Sequence, residues 1–435
     1  MNDRTNAIPE TAQTDGIPSS GPNQLVEHFF RHESANLVAV LTRAFGFGRI
    51  NLVEDMVQAA MIEAMNAWRQ RGVPDNPAGW IHRVARNRIL DALRREKIHQ
   101  QALAHAGQTE HAFESLVDDW LTEDRIPDSL LRMMFVCCHP SLDRQSQIAM
   151  TLKILCGFSV GEIARGLLMS NDATKKRIQR AKKTLADQNV SLDMPTPTDL
   201  QNRLSAVHDV LYLMFNEGYS TSHGIEPIRD DVCEEAARLC HLLCEHDSLS
   251  TPKTRALLAL MLFHASRLDS RVDDDGAVVL LEDQDRTTWD RDLMRVAEHW
   301  LARSKDAEPS PFHFEAAIAM QHCRAKSVDE TDWLAIVALY DRLLELNESP
   351  LYLLNRAIAR GQSGDTRQAI QEIESIRSQK AMKNYYLLDC AIGRLNEISG
   401  NKSAAIDAYL TALSADVAPH EKALLEKRLA NLACP

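Results

Sequence analysis

Apolar residues return every three or four positions through most of this chain, the spacing of one helix face rather than the alternation of a strand. The first such run extends from Leu25 to Phe47, with Gly46 and Gly48 placed to end it. From Leu52 to Trp68, the residues Leu52, Met56, Ala60 and Ala64 share one stripe with Val53, Val57 and Met65 beside it, which predicts an amphipathic helix. The segment RQRGVPDNP reads as a loop through Gly72, Pro74 and Pro77. A third helix follows through Trp80, Ile81, Val84, Ile89 and Leu93, with Pro77 in its first turn.

Residues 98–128 are acidic and weakly periodic, which predicts a linker that holds at most a short helix through Phe113 and Trp120. A second helical unit is expected over 129–188. Asp128 or Ser129 can cap a helix through Leu130, Met134 and Val136, and Asp143 can cap the next, through Ile148 and Leu152. Ser159 with Glu162 forms a capping box for a short helix through Ile163 and Leu167. A last helix runs from about Asp172 to Asp187 with Ile178, Ala181 and Leu185 inward. Two helices joined by a short turn, the second of them basic, make a helix-turn-helix pattern.

A proline-bearing linker at 189–198 separates this part from the rest. Beyond it the periodicity predicts helices at 199–216, 230–246, 253–268, 288–304, 311–324, 331–346, 350–362, 366–378, 383–399, 402–414 and 419–431, with Val278–Leu281 as a short strand or hairpin edge. A shift of 36 residues places Leu351 on Leu387, Ala357 on Gly393, Gly364 on Gly400, Ala369 on Ala405 and Ile370 on Ile406. Small residues at helix crossings and a glycine between antiparallel helices, at a period near 34, are what a tetratricopeptide-type array uses.

The expected fold class is therefore all-α. Its parts are a disordered lead at 1–23, a helical bundle at 24–97, a helix-turn-helix at 129–188 and a helical repeat domain at 199–435. No run of about 18 apolar residues offers a membrane span, and the first 23 residues lack the basic start and apolar stretch of a secretory signal, so the chain is expected in the cytoplasm. Nine cysteines without regular spacing argue for reduced thiols. Cys137, Cys138 and His139 lack a second ligand pair at zinc spacing, and Cys240 and Cys244 read as helix core. The acids Asp273, Asp274, Asp275, Glu282, Asp283 and Asp285 do not follow a calcium-loop pattern and read as a surface loop. Neither a phosphate-binding glycine loop nor a catalytic constellation emerges, so no enzyme, metal or cofactor is expected.

Net charge changes the picture. The chain carries minus 12, but residues 1–185 hold 23 Lys and Arg against 21 Asp and Glu, leaving 26 against 40 for the remainder. Within the first part the cations are bunched at 80–97, and the stretch 173–183 holds six cations and no acid. A single charge run usually marks a solvated helix face, but two of them on periodic helices also fit contacts to nucleic-acid phosphates.

Three motif blocks stand in order: VEDMVQAAMIEAMNAW, NPAGWIHRVARNRILDALRREK and GFSVGEIARGLLMSNDATKKRIQRAKK. Together they resemble regions 2 and 4 of a bacterial extracytoplasmic-function sigma factor of the sigma-70 family. FRHESANLVAVLTRAFG, MFVCCHPSL and LYLMFNEGYSTS, with the acidic helical tail, resemble the subgroup that carries a C-terminal tetratricopeptide-like extension. The resemblance covers nearly all of 24–435. It implies two partners, core RNA polymerase and promoter DNA, and no membrane.

By that resemblance Glu54, Asp55, Gln58 and Glu63 would face polymerase, although Ala59 departs from the carboxylate often found there. Region 2 would open the minus-10 element through Arg83, Arg86, Asn87, Arg94 and Arg95, with Asp91 orienting a neighbouring arginine and Trp80 either core or stacking platform. Region 4 would read the minus-35 element through Lys175, Lys176, Gln179, Lys182 and Lys183, with Thr174, Arg177 and Arg180 at the margins. Ala173 stands where many relatives carry Thr. The acidic tail invites two regulatory hypotheses, that it masks the basic helices or that it is required for activity. The alternative reading is a helix-turn-helix transcription regulator with a helical sensor domain, which predicts a dimer on a two-fold site.

Overall fold

The computed structural model of the chain describes residues 22–101, 126–167, 169–219, 229–273, 278–305, 308–379, 382, 385–415, 417 and 419–433. Among these the regular elements are helical, and the expected strand edge at 278–281 reduces to an isolated antiparallel bridge between Val272 and Val278. Residues 1–21 of the expected lead and most of the linker at 98–128 lie outside the described residues, while Pro22 and Asn23, expected to close the lead, open the first helix.

The chain folds as two compact units. The first runs to Met133 and adds Thr151–Ser159 and Lys182–Leu192; the second takes Met134–Met150, Val160–Ala181 and everything from Asp193. The dividing line passes through 129–188, which periodicity alone would treat as one separate module.

In the first unit, α1 (Pro22–Phe45) stops where Gly46 adopts a φ of +86°, a left-handed conformation that favours glycine. A 3-10 turn (Phe47–Arg49) then leads into α2 (Ile50–Arg71). The buried residues of α2 are Ile50, Val53, Val57, Ala60 and Ala64. Leu52 and Met56 are only half-buried and Met65 is 48% exposed, so the core stripe lies one position round from the face expected. Both α1 and α3 (Pro77–Gln101) pack on α2, and it is their joint footprint that selects the Val53 and Val57 face. α3 buries Ile81, Ala85 and Ile89. His82 Nε2 lies 2.6 Å from Glu33 Oε1 with both side chains nearly inaccessible, tying α3 to α1.

α4 (Ile126–Cys137) begins before the expected cap. Asp128 sits inside its first turn and accepts from Arg132 Nε at 2.9 Å and from Arg43 of α1 at 2.6 Å. Partial burial pushes the Asp128 carboxyl up, but the two guanidiniums more than offset this and hold it below the usual carboxylate range.

The second unit contains the start of α5 (Arg144–Ile154), α6 (Val160–Gly166) and most of α7 (Asn171–Asp187). As expected, Asp143 caps α5, accepting from the Ser146 amide at 2.9 Å. The remaining helices are α8 (Pro197–Tyr219), α9 (Asp230–Glu245), α10 (Pro252–Ala265), α11 (Arg291–Ala302), α12 (Pro311–Arg324), α13 (Trp333–Leu346), α14 (Pro350–Gln362), α15 (Thr366–Ile376), α16 (Leu387–Ile398), α17 (Lys402–Leu413) and α18 (Pro419–Ala433).

The 36-residue periodicity has a structural counterpart. Hairpins α14–α15 and α16–α17 each turn on a left-handed glycine, Gly364 with φ +108° and Gly400 with φ +78°. Each second helix is capped by the residue that follows the glycine: Asp365 accepts from the Gln368 amide and Asn401 from the Ala404 amide. Ala357, Ala369 and Ala405 are fully buried at the crossings.

The expected acidic surface loop is only partly that. Glu282 is 16% exposed and accepts from Arg394 and Arg428, while Arg286 donates to the carbonyls of His322 and Ala325. The backbone of the apolar run at 278–281 is served instead by the Val279 amide donating to the Arg271 carbonyl at 2.8 Å, the Asp283 amide to the Leu280 carbonyl at 2.9 Å and Gln284 Nε2 to the Val279 carbonyl at 3.0 Å.

Candidate functional site

On α2 the exposed positions Asn51, Asp55, Gln58, Ile62 and Met65 follow one another at steps of three and four, and so form one outward stripe. Asp55 and Gln58 lie where the sequence placed them. Ile62, 60% exposed, and Met65, 48% exposed, extend that stripe with apolar surface that periodicity had assigned elsewhere or passed over. Glu63 points toward α3 and accepts from Arg88 Nη2 at 2.6 Å and Nε at 3.2 Å. Glu54 is nearly buried and is bonded by Lys182 of α7, whose Nζ also lies 3.2 Å from Asn51 Oδ1.

On α3, Arg83, Asn87 and Arg95 are exposed and Arg86 is half-buried. Arg83 and Asn87 stand one turn apart, with Asp91 and Arg94 continuing their line. Arg94 pairs with Asp91 at 3.3 Å, the neighbour expected to orient an arginine. Trp80 is half-buried and meets Trp68 edge-on, ring centroids 5.9 Å apart, so one side of its indole is committed to the α2–α3 packing.

On α7 the exposed residues Lys175, Lys176, Gln179, Arg180 and Lys183 make a single outward stripe, four of them cationic. The Ser170 hydroxyl caps this helix by accepting from the Ala173 amide at 3.2 Å. Three members of the expected set lie elsewhere. Thr174 has no accessible surface, because it shares the inward face of Ile178 and Ala181, and its hydroxyl has no hydrogen-bond partner among the described residues. Lys182 follows Ala181 inward and is 9% exposed. Arg177 is half-buried and donates to Asp143 at 2.8 Å and to Ser146 at 3.1 Å. Slight burial pushes the Asp143 carboxyl up, but the Ser146 amide and hydroxyl and the Arg177 guanidinium keep it below its ordinary range. Arg177 thereby fastens α7 to the cap of α5.

C-terminal helices contribute directly to the helix-turn-helix part of the second unit. Arg203 of α8 donates to the Phe135 carbonyl at 2.7 Å, and Asp209 of α8 pairs with Arg144 of α5 at 2.9 Å. Arg229 donates to the Glu162 carbonyl of α6 at 3.2 Å. Cys137, Cys138, Cys240 and Cys244 are buried thiols. Among the described residues no helix is long and apolar enough to cross a membrane.

Comparison with known proteins agrees with this arrangement. Residues 29–98 match sigma-70 region 2, residues 132–185 match sigma-70 region 4, and residues 203–305 match a family of unknown function, DUF6596. An uncharacterized protein of Rhizobium meliloti is 35% identical over 409 residues, covering 91% of this chain and 95% of that protein. No solved structure matches the chain. A region 2 bundle and a region 4 helix-turn-helix in that order define a sigma-type protein. The chain belongs to the extracytoplasmic-function group of the sigma-70 family and carries a C-terminal helical extension.

Proposed function

We propose that this protein binds core RNA polymerase and directs promoter-specific initiation, with region 2 opening the minus-10 element and region 4 reading the minus-35 element. The observation that carries the reading is the pair of exposed polar stripes, Arg83, Asn87 and Arg95 on α3 and Lys175, Lys176, Gln179, Arg180 and Lys183 on α7, each on its matched sigma module. The lysines and arginines neutralise phosphates and fix register, while Gln179 supplies a donor and acceptor for a base edge in the major groove. On α3, the half-buried Trp80 beside basic residues gives a wall against which an unpaired base can stack. Polymerase meets the α2 stripe of Asp55, Gln58, Ile62 and Met65, where two apolar side chains add area to the polar contacts.

The C-terminal helices form a tetratricopeptide-like array that is required for activity. Arg203, Asp209 and Arg229 supply the region 4 helices with hydrogen bonds and an ion pair that a shorter chain would lack. In vitro transcription with core polymerase and genomic fragments tests the proposal: defined start sites appear only when the full chain is added. Starts that form equally without it, or purified chain that never co-migrates with polymerase, would refute the reading. Removal of 199–435 is expected to abolish these starts, whereas a masking tail would increase them.

A further inference from the structure

Helices α8, α10, α12, α13 and α14 enclose a cavity of about 360 Å³, within the size range of small-molecule sites. Its walls are apolar in the middle, through Phe215, Leu260 and Ile318, and polar at two ends. At one end stands Glu315. Tyr352 donates to its Oε1 at 2.6 Å, and Tyr212 is a second hydroxyl partner. No cation among the described residues pairs with Glu315. At the other end are Arg267, His264 and His322. Arg267 has no carboxylate partner among the described residues; its contacts are long ones to Gln284 Oε1 and His264 Nδ1, both 3.4 Å, and the Tyr219 ring 5.4 Å away. His322 Nδ1 lacks any hydrogen-bond partner among the described residues.

Glu315, Ile318, Ala319 and His322 lie on one face of α12, and two helical turns separate the first from the last, about 10 Å. One cavity thus holds a carboxylate without a cation and a guanidinium without an anion, at opposite ends of an apolar passage. Withdrawal from water pushes the Glu315 carboxyl up, and the Tyr352 and Tyr212 hydroxyls offset part of that. An uncompensated charge in such a place is costly unless a ligand supplies its counterpart.

We propose that this cavity binds a small zwitterion, its ammonium held by Glu315 and the tyrosine hydroxyls, its carboxylate by Arg267, and its apolar body by Phe215, Leu260 and Ile318. The matching chemistry is an amine and a carboxylate separated by a flexible apolar spacer, as in an ω-amino acid or a short apolar peptide.

Isothermal titration calorimetry of the full chain would use linear ω-amino acids from glycine to 12-aminododecanoate, with di- and trileucine as the peptide arm. Alkylamines and alkanoates of equal length serve as single-charge controls. Affinity should peak at an intermediate length, with each single-charge control binding about tenfold more weakly or worse. Glu315→Gln should reduce zwitterion affinity by a similar factor and leave alkanoate binding unchanged, and Arg267→Gln should do the reverse for alkylamines. Absence of binding throughout both series, equal binding of the single-charge controls, or unchanged zwitterion affinity in Glu315→Gln would overturn the proposal. Circular dichroism checks that the variants fold. If one does not, the comparison of zwitterion with single-charge ligands on the wild-type chain decides alone.

Discussion

Lys182 and Glu54 are bonded to each other, although sequence reasoning sent one toward DNA and the other toward polymerase. Their side chains are 11% and 12% exposed, and Asn51 Oδ1 is the only further contact to the ammonium among the described residues. Removing one partner leaves the other charge nearly buried and unpaired. A fully buried pair broken in this way loses about 3–5 kcal/mol, and the residual exposure here brings the expected cost to about 2–3 kcal/mol. Lys182→Met or Glu54→Gln should therefore speed amide hydrogen exchange along α2 by roughly 30- to 150-fold, read by mass spectrometry so that the two compact units need not unfold together. The double variant should cost less than the two single losses added together, by a coupling of about 1–3 kcal/mol. Polymerase binding separates the two side chains: Lys182→Met frees the Glu54 carboxylate and tightens the complex, while Glu54→Gln, whose charge Lys182 already takes up, leaves it unchanged. Additive stability effects, or polymerase affinities that change alike in the two variants, would refute the reasoning.

Four further outcomes are expected. Thr174→Val should leave promoter affinity unchanged and raise stability by about 1 kcal/mol, since the hydroxyl it removes is buried without a partner among the described residues, whereas Lys175→Ala should lower affinity for all sequences and reduce the salt slope of DNA binding by about one. Both are measured on the polymerase holoenzyme with a promoter fragment. Burial, helped by nearby Lys253 for His208 and by Arg267 and Arg286 for His322, lowers both imidazoles to about 3. The unfolded chain then takes up protons below pH 6.5 that the folded chain does not, so stability present above that pH is lost on acidification, by about 2 kcal/mol per histidine at pH 5. His208→Gln should flatten that loss in thermal melts between pH 7 and 5. Gly393→Ala places a Cβ 2.5 Å from the Tyr409 ring and should cost about 1–3 kcal/mol in the α16–α17 hairpin, seen as faster hydrogen exchange confined to that region.

Helix positions in the C-terminal region were legible to within a few residues, because each helix carries its own apolar period and local cap. Asp143, Thr251, Asp365 and Asn401 all cap helices through bonds that span three residues of sequence. The 36-residue repeat was legible for the same reason, its glycines and small residues being local requirements of a tight turn and a close crossing. The exposed stripe of α7 was legible too, as an amphipathic helix displays its own outward face.

What periodicity could not supply is the partner of each face. Whether Val53 or Leu52 is buried depends on where α1 and α3 rest on α2, and whether Lys182 meets solvent or Glu54 depends on a residue 128 positions away. The Glu315 cavity is assembled from five helices between Tyr212 and Asn355, so no local pattern could reveal that Glu315 and Arg267 line one space. Composition and spacing determined the all-helical architecture and the order of its modules, because those follow from short-range hydrogen bonding and amphipathicity. Tertiary structure decided which charges remain exposed and which are used up in pairing, because burial is a property of the assembled chain.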